Sequence, residues 1–178
     1  MIRLFVGLAL PEAIVSALDR LTSGMPGARW VEPENFHITL RFIGEVDEVD
    51  AEDIHHELTR VRAPRFSLSL AGVDAFGRGP KTRALWAGVE KSKALHLLRG
   101  RVESAVVRAG QPPETRKFVP HVTLARFHQA PAMRIQSFIE GNNLFRAGPF
   151  EVDRFVLFES ETGEGGAVYT SLEEYPLD

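Results

Sequence analysis

The chain has 178 residues, of which 44% are hydrophobic, and its formal net charge at neutral pH is −3. This length and composition are ordinary for one globular domain, so we expect residues 1–178 to form a single domain. The absence of cysteine excludes disulfides, thiolate metal sites and cysteine nucleophiles. The weakly acidic balance excludes a protein that coats nucleic acid, although a nucleic-acid end can still bind locally. No apolar run is long enough to cross a bilayer, so we expect a cytoplasmic protein without membrane contact. We also expect a monomer, because nothing in the sequence demands a partner chain.

Hydrophobic spacing predicts alternating strands and helices along the chain. In the first part we expect a strand at 2–10, a helix from Pro11, a short strand at 30–31, a strand at 36–43, a helix at 47–62 and a strand at 66–76. In the second part we expect a strand at 84–89, a helix at 93–109, a strand at 118–127, a helix at 132–142, and strands at 150–160 and 167–172. This order of elements predicts an α+β fold, and residues 1–76 and 84–160 echo each other. It has two pseudo-symmetric lobes of antiparallel sheet packed on helices, with an active-site cleft between them.

One short pattern occurs once in each half of the chain. The segments FHITL at 36–40 and PHVTL at 120–124 both contain His-x-Thr-Leu. In a strand, successive side chains point to opposite faces, so histidine and threonine share one face and the apolar residues share the other. Two such strands side by side would place two imidazoles and two hydroxyls in one site.

This pair of imidazoles suits proton transfer in both directions. A histidine titrates near neutral pH, so one can accept a proton while the other donates one. Threonine hydroxyls can hydrogen-bond the oxygens of an anion bound between them. The set predicts phosphoryl transfer without a metal. The alternative is that both histidines are half-buried sheet residues bonded to carbonyls; the duplication favours the functional interpretation.

Longer stretches around both motifs resemble a known family. WVEPENFHITLRFIGE at 30–45, FVPHVTLAR at 118–126 and RLFVGL at 3–8 are similar to the two-histidine (2H) phosphoesterase superfamily. The similar branch is the RNA 2′,3′-cyclic phosphodiesterase family, also called the 2′-5′ RNA ligase family. The resemblance implies hydrolysis of a terminal 2′,3′-cyclic phosphate to a 2′-phosphate, on RNA ends or nucleotides, with no metal or other cofactor. It also implies reversal, which joins a cyclic end to a 5′-hydroxyl.

In this mechanism we assign the four motif side chains as follows. His37 is the proton donor and His121 the proton acceptor, although the near symmetry of the motifs leaves the reverse assignment open. Thr39 and Thr123 hold phosphate oxygens.

Two further residues follow from the resemblance. In the family, an aromatic residue five positions after the first motif histidine contacts the base, which is Phe42 here. An arginine five positions after the second contacts phosphate, which is Arg126. In a straight strand both would face the core, so we expect an equivalent bulge or twist near the end of each motif strand. Arg41 shares the parity of His37, so it either reaches phosphate or is solvated.

Four other interpretations remain open. Trp30 is either a base-stacking platform or a core residue. The basic loop at 77–83 is a hairpin tip, and Arg78, Lys81 or Arg83 could contact RNA from it. The chain could also be a non-catalytic binding module for nucleotides or RNA ends, or a metal protein, although no third metal ligand is evident at a useful spacing.

Overall fold

Nine strands form two antiparallel sheets in the computed structural model, which describes residues 1–178. The strands are β1 (Ile2–Ala9), β2 (Arg29–Trp30), β3 (His37–Val46), β4 (Phe66–Phe76), β5 (Ala84–Val89), β6 (His121–Arg126), β7 (Arg146–Val152), β8 (Arg154–Gly163) and β9 (Gly166–Pro176). The first sheet has the order β3-β1-β8-β9, and the second has the order β2-β6-β5-β4-β7. The predicted α+β fold with antiparallel sheets is therefore confirmed.

Four helices cover the sheets: α1 (Glu12–Asp19), α2 (Glu48–Leu58), α3 (Lys93–Arg108) and α4 (Ala132–Gly141). In two of them, a polar side chain at the N-cap position accepts a hydrogen bond from a backbone amide of the first turn. Asp47 accepts from the Asp50 amide at 2.8 Å, and Ser92 accepts from the Leu95 amide at 3.1 Å. No helix has both the length and the apolar character that crossing a bilayer requires.

The two sheets have corresponding strand orders. If β2 is set aside, β3-β1-β8-β9 matches β6-β5-β4-β7, and the motif strands β3 and β6 occupy equivalent places. These two strands also contact each other where the sheets meet. The lobes do not coincide with sequence halves, because β4 joins the second sheet while β8 and β9 complete the first.

One core serves both sheets. A cluster of 31 buried hydrophobic residues includes side chains from both sheets, so the lobes share their interior. It contains the apolar residues of both motifs, namely Ile38, Leu40, Val122 and Leu124. Burial of these four fixes which face of each motif strand is left for the histidine and the threonine.

The prediction of one strand at 150–160 is wrong. Two strands lie there, β7 and β8, and they belong to different sheets: β7 pairs with β4 and β8 pairs with β1. Only two polar residues, Asp153 and Arg154, separate the apolar residues of β7 from those of β8, so the change of sheet is hidden in the sequence. The return strand β9 runs from Gly166 to Pro176, so the tail extends the pairing past the strand predicted at 167–172.

Candidate active site

Each motif strand carries a β-bulge three residues after its histidine. In β3 the extra residue is Leu40, which has no partner on β1. In β6 it is Leu124, which has no partner on β5. Both strands consequently bury two consecutive residues, and their first six positions share one sequence of burial. A bulge reverses the parity of the strand: beyond it, side chains that would have faced one side of the sheet face the other.

The two bulges turn Phe42 and Arg126 toward the side of the histidines. The Phe42 side chain is 40% exposed and lines a cavity together with Thr39 and His121. Arg126 is exposed, and its charge lowers the pKa of both His37 and His121, so it lies near them. The expectation of an equivalent distortion in both strands is confirmed.

The parity reversal also places Arg41 in the interior, so the prediction of a phosphate contact or a solvated side chain is wrong. Arg41 is 6% exposed and forms an ion pair with Glu103 of α3. It also donates to the Pro112 carbonyl at 2.6 Å, while Glu103 accepts from the Glu114 amide at 2.7 Å. The pair thus ties β3 to α3 and to the loop that leads into β6.

His37 is held by hydrogen bonds at both ring nitrogens. Nδ1 lies 2.7 Å from the main-chain oxygen of Asn35, and Nε2 lies 2.9 Å from the Thr39 hydroxyl. A carbonyl can only accept, so Nδ1 carries the hydrogen, and in the neutral ring Nε2 accepts from Thr39. The Asn35 side chain in turn donates to the Ala167 carbonyl at 2.9 Å, which links the site to the β8–β9 hairpin.

Aromatic rings enclose His37. The ring centroids of Phe5, Tyr169 and Phe158 lie 4.8, 5.2 and 6.2 Å from its own. Burial lowers the pKa of His37 from 6.5 to about 4, the Asn35 hydrogen bond opposes this, and the charges of Arg126 and His121 add to it. His37 is therefore neutral at neutral pH in the free protein.

His121 has the same anchor but a freer second nitrogen. Its Nδ1 lies 2.6 Å from the Val119 main-chain oxygen, while Nε2 has no hydrogen-bond partner. Phe76 contacts the ring edge to face at 4.9 Å, and Trp86 lies at 5.6 Å. Burial lowers the pKa of His121 as well, against the Val119 hydrogen bond. Thr123 is half-buried on the same face of β6.

The aromatic neighbours were missed in the sequence, although a repeat marks two of them. Phe5 and Trp86 lie on the strands that pair with the motif strands, and each is followed two positions later by a glycine. A Cβ on Gly7 would lie 2.8 Å from the Ile38 carbonyl oxygen, and one on Gly88 would lie 2.6 Å from that of Ala71. Aromatic-x-Gly therefore marks a strand that supplies a ring to the site and allows close backbone approach.

Two cavities flank the histidine pair. The first, of about 410 Å³, is lined by Thr39, Phe42 and His121. The second, of about 570 Å³, has Trp30, Arg126 and the hairpin residues 163–167 in its wall, together with Asn35 and Tyr169, which contact His37. The structure assembles no group of three His, Asp or Glu side chains that could hold a metal ion.

The open interpretations of Trp30 and of the basic loop are partly resolved. Trp30 is half-buried, packs 6.2 Å from the Phe138 ring and also lines the second cavity. The loop at 77–83 is a hairpin tip between β4 and β5, as predicted. Of its cations, Arg83 lines the first cavity, whereas Arg78 lines a separate depression against α4.

Comparison with known proteins agrees with this geometry. The family model of the 2′-5′ RNA ligase superfamily matches residues 10–164. A curated RNA 2′,3′-cyclic phosphodiesterase from Aeropyrum pernix is 39% identical over 156 residues, which cover 85% of this chain and 87% of that protein. A Thermotoga maritima protein of the same name is 35% identical over 159 residues, which cover 88% and 83%.

Solved structures are similar over almost the whole chain. Escherichia coli LigT in complex with 3′-AMP superposes with a TM-score of 0.80 at 28% identity, covering 99% of this chain and 98% of that one. A Thermus thermophilus protein gives a TM-score of 0.74 at 30% identity, covering 98% and 97%. The resemblance of the two histidine motifs is thus confirmed: the chain belongs to the 2′-5′ RNA ligase superfamily of two-histidine phosphoesterases.

Proposed function

We propose that the protein is an RNA 2′,3′-cyclic phosphodiesterase that opens a terminal cyclic phosphate to a 2′-phosphate. The observation that carries this proposal is the matched anchoring of the two histidines. Each Nδ1 bonds a main-chain carbonyl, which fixes the tautomer and leaves Nε2 for proton transfer. The names of the relatives and the 3′-AMP bound to E. coli LigT support it.

In the forward reaction, His121 acts as the base. Its unpartnered Nε2 accepts a proton from water as the water oxygen attacks phosphorus. The bond from phosphorus to the ribose 3′-oxygen breaks, and that oxygen takes a proton from Nε2 of His37. The products are a 2′-phosphate and a 3′-hydroxyl, with one proton moved from His37 to substrate and one from water to His121.

The donor role of His37 requires a change in its pKa. In the free protein the ring is neutral, since burial lowers the pKa to about 4. A phosphate anion bound beside the ring stabilises its charged form and raises the pKa. Binding of a nonreactive phosphate analogue should therefore be accompanied by proton uptake, measurable as a buffer-dependent heat of binding.

The remaining site residues act on the charge and on the base. Once His37 Nε2 carries a proton, the Thr39 hydroxyl is free to donate to a phosphate oxygen, as Thr123 does on the other strand. Arg126 offsets the charge that develops on the phosphoryl oxygens. Phe42 supplies a face on which the base can stack.

The test is product analysis of a cyclic-ended RNA oligomer and a cyclic mononucleotide in the presence of EDTA. We expect a 2′-phosphate product from the wild type, and a rate lower by about 10²–10⁴-fold in His37→Ala and in His121→Ala. The chain would instead be a binding module if the wild type turns over no cyclic phosphate and both histidine variants bind nucleotides as tightly as the wild type. Loss of activity on chelation would contradict the metal-free mechanism.

The same site can join RNA ends if the 5′-hydroxyl of a second RNA takes the place of water. His121 then accepts the proton of that hydroxyl, and His37 again donates to the leaving 3′-oxygen. Cleavage of the resulting 2′-5′ link exchanges the two roles, by microscopic reversibility. Incubating a cyclic-ended RNA with a 5′-hydroxyl RNA tests this, because the new 2′-5′ link resists nucleases specific for 3′-5′ links. Absence of that product at high RNA concentration would limit the protein to hydrolysis.

A further inference from the structure

The first cavity has a cationic wall that the proposed hydrolysis does not use. Arg83, Arg99 and Lys117 line it together with His121. None of the three side chains forms an ion pair or a hydrogen bond, and Nε of Arg99 is buried without a partner. Three cations without counter-charges around one concave surface are suited to binding an anion.

The other charged side chains of this cavity neutralise one another. Arg41 pairs with Glu103 in the interior. Arg116 pairs with Glu114 through two contacts, at 2.9 and 3.0 Å. Arg116 lowers the pKa of Glu114 to about 2, so this carboxylate stays charged but already has its cation. The excess positive charge of the wall therefore belongs to Arg83, Arg99 and Lys117.

Two of these cations lie over aromatic rings, and one of the rings contacts a motif histidine. The Arg83 guanidinium lies 5.6 Å from the centroid of Phe76, whose edge-to-face partner at 4.9 Å is His121. The Arg99 guanidinium lies 5.3 Å from the centroid of Phe118. An anion bound by Arg83 is consequently one ring away from the phosphate that reacts at His121.

The position of Phe42 indicates that a nucleoside spans the distance between the two anions. Its exposed ring lines the same cavity, and the Arg3 guanidinium lies over it at 5.3 Å, which leaves the cavity side for a base. Aromatic surface next to unpaired cations is the combination that binds a base and a phosphate of one strand. A nucleoside placed here has one phosphate at the histidines and another toward the wall.

We propose that Arg83, Arg99 and Lys117 form a subsite for a second phosphate, the 5′-phosphate of the nucleotide whose cyclic end reacts. The proposal rests on the proposed function and names its substrate class. The preferred substrate is a nucleotide with a 5′-phosphate, either free or joined to a preceding nucleotide as at an RNA end. A bare nucleoside 2′,3′-cyclic phosphate is a poor substrate.

The experiment compares kcat/KM for four substrates that share one base. They are adenosine 2′,3′-cyclic phosphate, its 5′-phosphorylated form, a dinucleotide with a cyclic 3′ end, and that dinucleotide with a neutral methylphosphonate linkage. The enzymes are the wild type, Arg83→Gln, Arg99→Gln and Lys117→Gln. The matched control is Arg134→Gln, which removes an exposed arginine of α4 outside the cavity.

We expect the wild type to favour the 5′-phosphorylated substrate, the dinucleotide, or both over the bare nucleoside by at least tenfold. Each cavity variant should lose about tenfold on those substrates, the value of one charge-assisted hydrogen bond, and under twofold on the bare nucleoside. Arg134→Gln should match the wild type on all four. A preference for only one of the two anionic substrates identifies the phosphate as a monoester or as an internucleotide diester.

Two results would overturn the subsite while leaving the hydrolase intact. One is equal kcat/KM of the wild type for the bare nucleoside and both anionic substrates. The other is a gain confined to the dinucleotides in which the methylphosphonate is as good as the natural linkage, which would assign the gain to the preceding nucleoside. If the wild type turns over no cyclic phosphate, the proposed hydrolase function is wrong, and binding affinities then test the subsite. Adenosine 2′,5′-bisphosphate should then bind at least tenfold more tightly than adenosine 2′-phosphate, and only the cavity variants should lose the difference.

Discussion

The hydroxyl of Thr39 lies 2.9 Å from Nε2 of His37, the nitrogen that would otherwise face the substrate. The second motif has no such contact, because Nε2 of His121 is without a partner. The two halves of a nearly symmetric site are thus prepared differently. The free Nε2 of His121 suits the base of the proposed forward reaction. His37 is held neutral, and it becomes a donor only when a bound phosphate anion raises its pKa.

The buried state of His37 predicts a pH-dependent stability. An unfolded histidine titrates near 6.5, whereas the pKa of His37 in the fold is about 4. Between these values the unfolded chain binds a proton that the folded chain does not, so the free energy of unfolding falls as pH drops from about 6.5 to 4. The contribution is complete above pH 6.5 and amounts to about 3 kcal/mol.

Urea denaturation at pH 7 and pH 4 measures this difference. Replacing the ring by His37→Gln should remove about 3 kcal/mol from the pH dependence that the wild type shows. His96→Gln, on the exposed face of α3, is the control and should keep the wild-type dependence. Identical pH dependence in the wild type and in His37→Gln would contradict the buried neutral state.

The exposed ring of Phe42 predicts a base contact. We expect Phe42→Ala to lower kcat/KM by about 10–100-fold on cyclic nucleotides, the value of one base stacked on an aromatic ring, and Phe42→Trp to retain activity. Ribose 2′,3′-cyclic phosphate without a base should be turned over equally by all three proteins. Met133→Ala removes another exposed apolar side chain, which lies on α4 outside the first cavity, and should leave kcat/KM unchanged. A loss on the base-free compound would show that Phe42 acts on the chemistry instead.

The interior ion pair predicts an asymmetric mutational response. Arg41→Met leaves the largely buried Glu103 without its cation, and we expect it to cost about 3–5 kcal/mol of unfolding free energy. The double variant Arg41→Met, Glu103→Leu should recover most of this loss, because no unpaired charge remains. Chemical denaturation of the wild type, Arg41→Met, Glu103→Leu and the double variant gives the comparison. Additive losses in the double variant would mean that the two residues act separately.

The close approach at Gly7 predicts that a single methyl group disturbs the site. A Cβ there would meet the Ile38 carbonyl at 2.8 Å, so Gly7→Ala must push β3 away from β1. We expect a loss of about 1–3 kcal/mol in stability, together with lower activity. Gly100→Ala is the matched control, since nothing lies within 4 Å of its Cβ and the residue is inside α3. It should be neutral or stabilise by up to about 1 kcal/mol.

The sequence predicted most elements of the fold because strand and helix periods are local. It also predicted the bulges, since Phe42 and Arg126 could reach the site only if both strands changed parity. What local patterns could not show was where the parity changes. Placing the bulge at Leu40 buries Arg41, whereas placing it one residue later would have left Arg41 beside His37.

The cationic wall could not be predicted for a different reason. Arg83 follows a hairpin tip, Arg99 lies on α3 and Lys117 lies in the loop before β6. These segments meet only because β5 lies between β4 and β6 and because the Arg41–Glu103 pair holds the loop against α3. Their shared surface is a property of the topology and has no signature along the chain.

The paired bulges also change what counts as the signature of this site. Its unit is six residues long, from each histidine to the aromatic or basic side chain at its end, and the length of the unit matters as much as its letters. Deleting one residue between Thr39 and Phe42 would leave both histidines intact and turn the aromatic ring into the core. A sequence search or a designed graft that keeps only His-x-Thr would therefore reproduce the proton-transfer pair without the surface that holds its substrate.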